Sequence, residues 1–281
     1  MEEELDYLVS GRSKISLQAT RQRHLIFETK GFDMITGDNT ARCLSFISAH
    51  LSPAVHHEHY RREAEPRPIV TLSRQTGSGA MIIAGILADY LQEHCPGHAG
   101  WTVFDKDLIG KVFEEHHLPK QLSKFMPEDR ISAIQDMLEE LLGLHPPSWI
   151  VLRQTTETVL HLAELGHVIL VGRAANIITR SRKDAFHVRL VAPLEKRIEQ
   201  MLAYGNPSRE AALEFIKKED SGRKRYVRDY FQADVDDPLF YDLVINTAGF
   251  KREEIAAMIG EAMIKRVQAS RAAAQPAHAS A

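Results

Sequence analysis

Five short β-rich runs stand out in this chain, most of them apolar at nearly every position: Ile69–Leu72, Trp101–Phe104, Val168–Val171, Phe186–Val191 and Leu243–Ile245. A strand with one face in water alternates apolar and polar residues. Continuous apolar runs therefore predict strands buried on both faces, as in a parallel sheet. Between the runs lie stretches with helical spacing, at Ala80–His94, Arg130–Leu142, Trp149–Leu165 and Leu194–Tyr204. In the first of these, Ile82, Ile83, Ile86, Leu87, Tyr90 and Leu91 mark one apolar face. Strand and helix in alternation give a three-layer α/β fold around a five-stranded parallel sheet.

The flanks read differently. Residues 1–65 form an N-terminal extension and linker. They carry one amphipathic helix, opened by Asp38 or Asn39 and packing Cys43, Leu44, Phe46 and Ile47. A polar stretch from His56 then ends in Pro66-Arg67-Pro68, as suits a linker. The Ala/Pro/Ser-rich segment 270–281 has the composition of a disordered tail, which leaves 66–269 as the folded domain.

Composition then excludes several classes of function. No apolar run approaches the roughly 20 residues of a membrane-spanning helix. The acidic start, Met1 to Leu8, lacks the basic-then-apolar order of a secretory signal, so a cytoplasmic location is expected. Cys43 and Cys95 are too few and too far apart for a disulfide framework or a zinc ribbon. Histidines 56, 57 and 59 and the pair 116–117 lack ligand spacing and read as surface or linker residues. No metal-ligating side chains are therefore assigned. A formal net charge of −3 gives no global drive toward nucleic acid or membranes, while a homo-oligomer stays open. Any anion must be held by a local arrangement.

The segment from Ile69 through Ser73-Arg74-Gln75-Thr76-Gly77-Ser78-Gly79 to Ala80 offers one: a strand, a small-residue turn, then a helix. Glycines let backbone N–H groups converge on phosphate oxygens, and the helix N-terminus adds a favourable dipole. The spacing matches the G-x-G portion of a P-loop, but Ala80 stands where the phosphate-reaching lysine would be and Met81 replaces the magnesium-binding hydroxyl. On the loop alone, a phosphate cradle and a plain tight connection are both open. Further strands end at the same crevice, because ligands of open parallel sheets sit beyond the carboxyl ends of the strands. Trp101–Phe104 leads into Asp105-Lys106-Asp107-Leu108-Ile109, and Val168–Val171 leads into Gly172-Arg173-Ala174-Ala175-Asn176. Asp105 could bind magnesium, accept a proton, order a sugar hydroxyl or cap the following helix.

These blocks, in order, resemble the cytidylate-kinase-like family of P-loop kinases. The likeness continues through Ala192-Pro193-Leu194-Glu195-Lys196-Arg197-Ile198, the charged helix Lys217–Tyr230, and Pro238-Leu239-Phe240-Tyr241-Asp242-Leu243-Val244-Ile245-Asn246-Thr247. It runs colinearly from about Pro68 to Ala269 and leaves out the first 60 residues. In that family the lysine is also typically absent and an arginine-glutamine pair precedes the glycines.

The resemblance implies a P-loop NTPase fold with a helical acceptor-binding insertion and a helical lid at about 205–235. It implies ATP as donor, cradled by Gln75, Thr76, Gly77, Ser78, Gly79 and Ala80, with Arg74 supplying a cation near the β/γ-phosphates. A guanidinium suits that task by binding phosphate in bidentate fashion. Magnesium would be held mainly through the nucleotide phosphates, near Asp105. By the same likeness Arg173 grips the phosphate of a small acceptor, a nucleoside monophosphate for instance, although the aspartate that follows in cytidylate kinases proper is absent here. Asp220 would orient Arg223, and Arg223, Arg225 and Arg228 would close over the transferring group. The expected activity is phosphoryl transfer; the missing lysine and hydroxyl favour instead a protein that binds nucleotide without catalysis.

Overall fold

The computed structural model describes residues 42, 45, 46, 67–96, 100–105, 148–205 and 208–274. Five parallel strands form one sheet: β1 (Ile69–Arg74), β2 (Thr102–Phe104), β3 (Val168–Val171), β4 (Ala185–Val191) and β5 (Leu243–Asn246). Their spatial order is β2-β3-β1-β4-β5. Ile69 pairs with both Val168 and Ala185, so β1 sits at the centre with neighbours on each side. The chain leaves β1 toward one edge and later crosses to β4 on the other. A crevice therefore opens at the carboxyl end of β1, where the direction of winding changes.

The helices are α1 (Ala80–His94), α2 (Ser148–Leu165), the single turn α3 (Ala175–Ile178), α4 (Leu194–Gly205), α5 (Arg209–Phe231) and α6 (Arg252–Ala274). One face of the sheet carries the larger core. There Val70, Leu72, Ile169, Val188 and Leu190 meet Ile83, Leu87 and Leu91 of α1 and Ile255, Ile259 and Met263 of α6. Burial of each such side chain contributes about 1.5–3 kcal/mol, which explains why the runs tolerate no polar interruption on that face. On the opposite face α2 lies along β3 with Val159 and Ala163 buried.

All five expected strands form, and α1 has the bounds its spacing predicts. The charged helix starts earlier than its charge run, because Ser208 accepts a hydrogen bond from Ala211 N–H and so caps α5 at Arg209. The last helix runs to Ala274, four residues beyond the boundary drawn at Ser270: its alanines favour helix once Met263 and Val267 anchor the preceding turns. Of the N-terminal helix, only positions 42, 45 and 46 are described. They are helical, with Arg42 paired to Asp89 of α1 and Phe46 fully buried edge-to-face on Phe104. Cys43, Leu44, Ile47, the stretch Arg130–Leu142 and the expected acceptor-binding insertion lie outside the described residues. Among the described residues, no helix is long and apolar enough to cross a membrane.

Candidate active site

The turn after β1 is built by its glycines. Gly77 and Gly79 have φ of 80° and 81°, the left-handed region that costs a side-chain-bearing residue about 1 kcal/mol or more. At Gly77 space forbids a side chain as well, and at Gly79 Gln200 would have to shift. A Cβ on Gly77 would lie 2.7 Å from the Arg197 carbonyl oxygen, and one on Gly79 would lie 3.1 Å from Gln200 Oε1. Both contacts come from α4, so the loop is pressed between the start of α1 and the first turns of α4. Ser78 N–H closes the turn onto the Gln75 carbonyl at 3.2 Å. No side chain caps α1 at Gly79. The N–H groups of Ala80, Met81 and Ile82 find no acceptor among the described residues, and Ser78 Oγ is buried without a partner. Open amides at a helix N-terminus beside an unsatisfied hydroxyl are donors arranged for an anion.

The other expected cradle residues are already engaged. Gln75 Oε1 accepts from Ala192 N–H at 3.0 Å, which ties the loop to the end of β4 and turns this side chain away from a ligand role. Thr76 donates both its N–H and its hydroxyl to Asp220 Oδ1, each at 2.8 Å. Arg197 Nη1 donates to Asp220 Oδ2 at 2.6 Å and to the Thr76 carbonyl at 3.3 Å. Arg223 Nη1 donates to Thr76 Oγ1 and, at 3.2 Å, to Asp220 Oδ1. Asp220 therefore does hold Arg223, as expected, but its main task is to staple α5 to the glycine loop through Thr76 and Arg197. Arg197 is only 9% exposed and was missed as a site residue. Its signal was its place in the first turn of a helix that leaves the carboxyl end of a central strand.

Beside the loop lies a cavity of about 340 Å³. Three arginines from three separate elements line it: Arg74 at the end of β1, Arg173 after β3 and Arg223 on α5. The Arg74 guanidinium lies across Gly172, so closely that a Cβ there would come within 1.8 Å of Nη1. Gly172, Arg173 and Ala174 are all left-handed, with φ of 86°, 52° and 54°. For Arg173 and Ala174 this stores roughly 1–3 kcal/mol of strain each, of the kind that collects at ligand sites. Arg173 has no hydrogen-bond or ion-pair partner among the described residues. Phe215, Tyr226 and Val227 of α5 give the cavity apolar lining, and Asn176 and Glu219 also line it.

Two expected lid residues stand elsewhere. A helix turns about 100° per residue, which puts Arg225 and Arg228 about 200° and 140° round from Arg223. Both are exposed outside the cavity, and Arg228 pairs with its neighbour Asp229. The family likeness groups them with Arg223; helix geometry puts them on other faces of α5. Asp105 is buried at the end of β2, on the same edge of the sheet as the loop.

A second polar cluster supports the site from behind. Arg189 on β4 is buried, donates to Ser73 Oγ at 2.8 Å, pairs with Asp236 and lies over the Tyr241 ring. Tyr241 also donates to the Val235 carbonyl at 2.8 Å. Asp236 takes Lys224 of α5 as its other partner. Burial pushes the Asp236 carboxyl up, but the hydrogen bond from Lys224 and the charge of Arg189 outweigh it and hold the group below the usual aspartate range.

Residues 69–249 match the cytidylate kinase-like family. The cytidylate kinase of Haloarcula marismortui is 30% identical over 183 residues, covering 64% of this chain and 81% of that protein. A uronate isomerase of Corynebacterium glutamicum is 30% identical over 114 residues, but the chain spans only 22% of its length. Among solved structures, an uncharacterized protein from Eubacterium ventriosum superposes with a TM-score of 0.51 at 18% identity, covering 70% of this chain and 98% of that one. That likeness concerns the fold alone, an α/β domain around a parallel sheet. With the family match covering well over half of its length, the chain belongs to the cytidylate kinase-like family.

Proposed function

We propose that the protein is a phosphotransferase that moves the γ-phosphoryl group of ATP to a small phosphate-bearing acceptor, a nucleoside monophosphate by family likeness. The observation that carries this reading is the meeting of Arg74, Arg173 and Arg223 in one cavity beside an open helix N-terminus. Arg223 is already paired with Asp220 and with Glu219, which also lines the cavity, but Arg173 has no partner among the described residues, so the cavity keeps a guanidinium for an anion to neutralise. Phosphoryl transfer asks little more of a protein than positioning and charge stabilisation. The amides at the start of α1 would hold the donor phosphates, Arg74 would stand between donor and acceptor, and Arg173 would grip the acceptor phosphate. Arg223, on the helix that covers the cavity, would complete the charge and help exclude water.

Magnesium bound to the donor would neutralise phosphate charge. Met81 offers no hydroxyl and no acidic or histidine cluster for a metal occurs among the described residues, so phosphate oxygens and water would be its main ligands, with Asp105 at the end of β2 as a further carboxylate.

In a coupled assay with ATP and a panel of nucleoside monophosphates, Arg74→Ala is expected to lower turnover by roughly 10³-fold or more while the fold persists. Unchanged turnover would remove Arg74 from the mechanism.

A second reading rests on Ala80 and on Thr76, whose N–H is already taken by Asp220. A loop without its lysine, closed by its own lid carboxylate, suits a protein that binds nucleotide and signals through the lid. Calorimetric binding of ATP or CMP without any product decides for this reading; product formation decides against it.

A further inference from the structure

Asn176 is 6% exposed, lies on the first turn after Arg173, and lines the three-arginine cavity. Its Nδ2 has no hydrogen-bond partner, and no hydrogen bond of its side chain to a described residue occurs. A buried amide donor left without an acceptor is costly, and native interiors seldom keep one without a use. The cavity it lines offers two kinds of chemistry. Arg74, Arg173 and Arg223, with Glu219 paired to Arg223, are charged; Phe215, Tyr226 and Val227 of α5 are apolar and aromatic. A free phosphate ion would use the charged residues alone. A volume of about 340 Å³ is also larger than one phosphate needs and falls in the range of small-molecule pockets.

We propose that Asn176 is the specificity-determining residue of this cavity. It would donate through its amide to an oxygen on the organic part of a phosphomonoester whose phosphate lies among the arginines. The inference rests on the cavity being the acceptor site of the proposed transferase. The ligand class is a phosphate ester with a flat, ring-containing body and a hydrogen-bond acceptor, such as a ring carbonyl or a sugar hydroxyl. The ring packs on the aromatic residues, and the amide turns about its last torsion to meet the oxygen. Sites built to hydrogen-bond a substrate group reject analogues lacking it, because the protein's own buried group is then left unpaired. Asn176 touches the ligand but no reacting atom, so its effect is on preference and affinity.

The test is calorimetry on the full chain with CMP and with inorganic phosphate, for wild type, Asn176→Ala and Asn176→Leu. Both variants are expected to weaken CMP about tenfold or more while inorganic phosphate binds as in wild type. Arg173→Ala should weaken both ligands. Asn176→Leu has similar volume and removes the unpaired donor, so its Tm should be no lower than that of wild type. If wild type binds CMP and both variants bind it equally well, Asn176 has no such role and the transferase reading stands untouched. A fall in Tm with equal loss of both ligands would show a structural role and overturn the inference. If wild type binds neither ligand, the cavity is no phosphate site, and the transferase reading falls together with this one.

Discussion

Asp220 shows how one side chain joins two halves of the site. Its two oxygens take hydrogen bonds from Thr76 N–H, Thr76 Oγ1, Arg197 and Arg223, residues up to 144 positions apart in the chain. Arg197 is buried, so removing the carboxylate leaves a charge without its partner in a place water reaches poorly. Asp220→Ala is therefore expected to destabilise the protein by about 3 kcal/mol, measured by urea unfolding; a loss under about 1 kcal/mol would mean that water replaces the carboxylate. At this scale position was legible where a residue ends a strand, as Arg74 does on β1, or lies just past one, as Arg173 does beyond β3; both line the cavity. It was less legible where position depends on the face of a helix. Arg223, Arg225 and Arg228 look alike as letters, and only the 3.6-residue turn of α5 brings the first to the cavity. Asn176 carried no signal at all, since its significance is the absence of a partner inside a folded cavity.

Helix α5 is held at two points. Its middle is tied to the glycine loop through Asp220, and its C-terminal half to the sheet through Lys224, Asp236 and Arg189. The same carboxylate serves an exposed lysine and a buried arginine. Breaking the exposed pair by Lys224→Ala should cost no more than about 1 kcal/mol, because water solvates both charges well. Asp236→Ala should cost about 3 kcal/mol, because Arg189 then keeps only Ser73 and the Tyr241 ring. Urea melts of the two variants side by side check the difference, and equal losses would show that Arg189 does not depend on Asp236. The bounds of α5 were half legible. The charge run marked its middle, while its start was written in Ser208, an N-cap residue whose effect does not show in a charge pattern.

For the molecule as a whole, the parallel sheet was legible because strands covered on both faces are mostly apolar, even though β4 buries His187 and Arg189. The order β2-β3-β1-β4-β5 was not, since each crossover helix hides which strand its successor joins. That order puts His187 of β4 directly beside Thr71 of β1, with Thr71 Oγ1 and His187 Nδ1 2.9 Å apart in the interior. Burial lowers the His187 pKa below its usual 6.5; the nearby Asp242 carboxylate opposes this shift, and Arg266 adds to it. The folded state therefore binds this proton less readily than the unfolded chain. Stability is full above the unfolded value and falls as pH drops below about 6.5, by at most about 1.4 kcal/mol per pH unit for one proton. Asp236, held below the aspartate range, adds a further loss only where carboxylates protonate, below about pH 4. The two groups separate by pH, which isolates the histidine between pH 6.5 and 5. Replacing it by His187→Gln should flatten the dependence of the unfolding free energy in that window and leave the acid limb unchanged. If the slope persists in the variant, the proton is taken up elsewhere, and the buried contact between the central strands is not what makes this fold sensitive to mild acid.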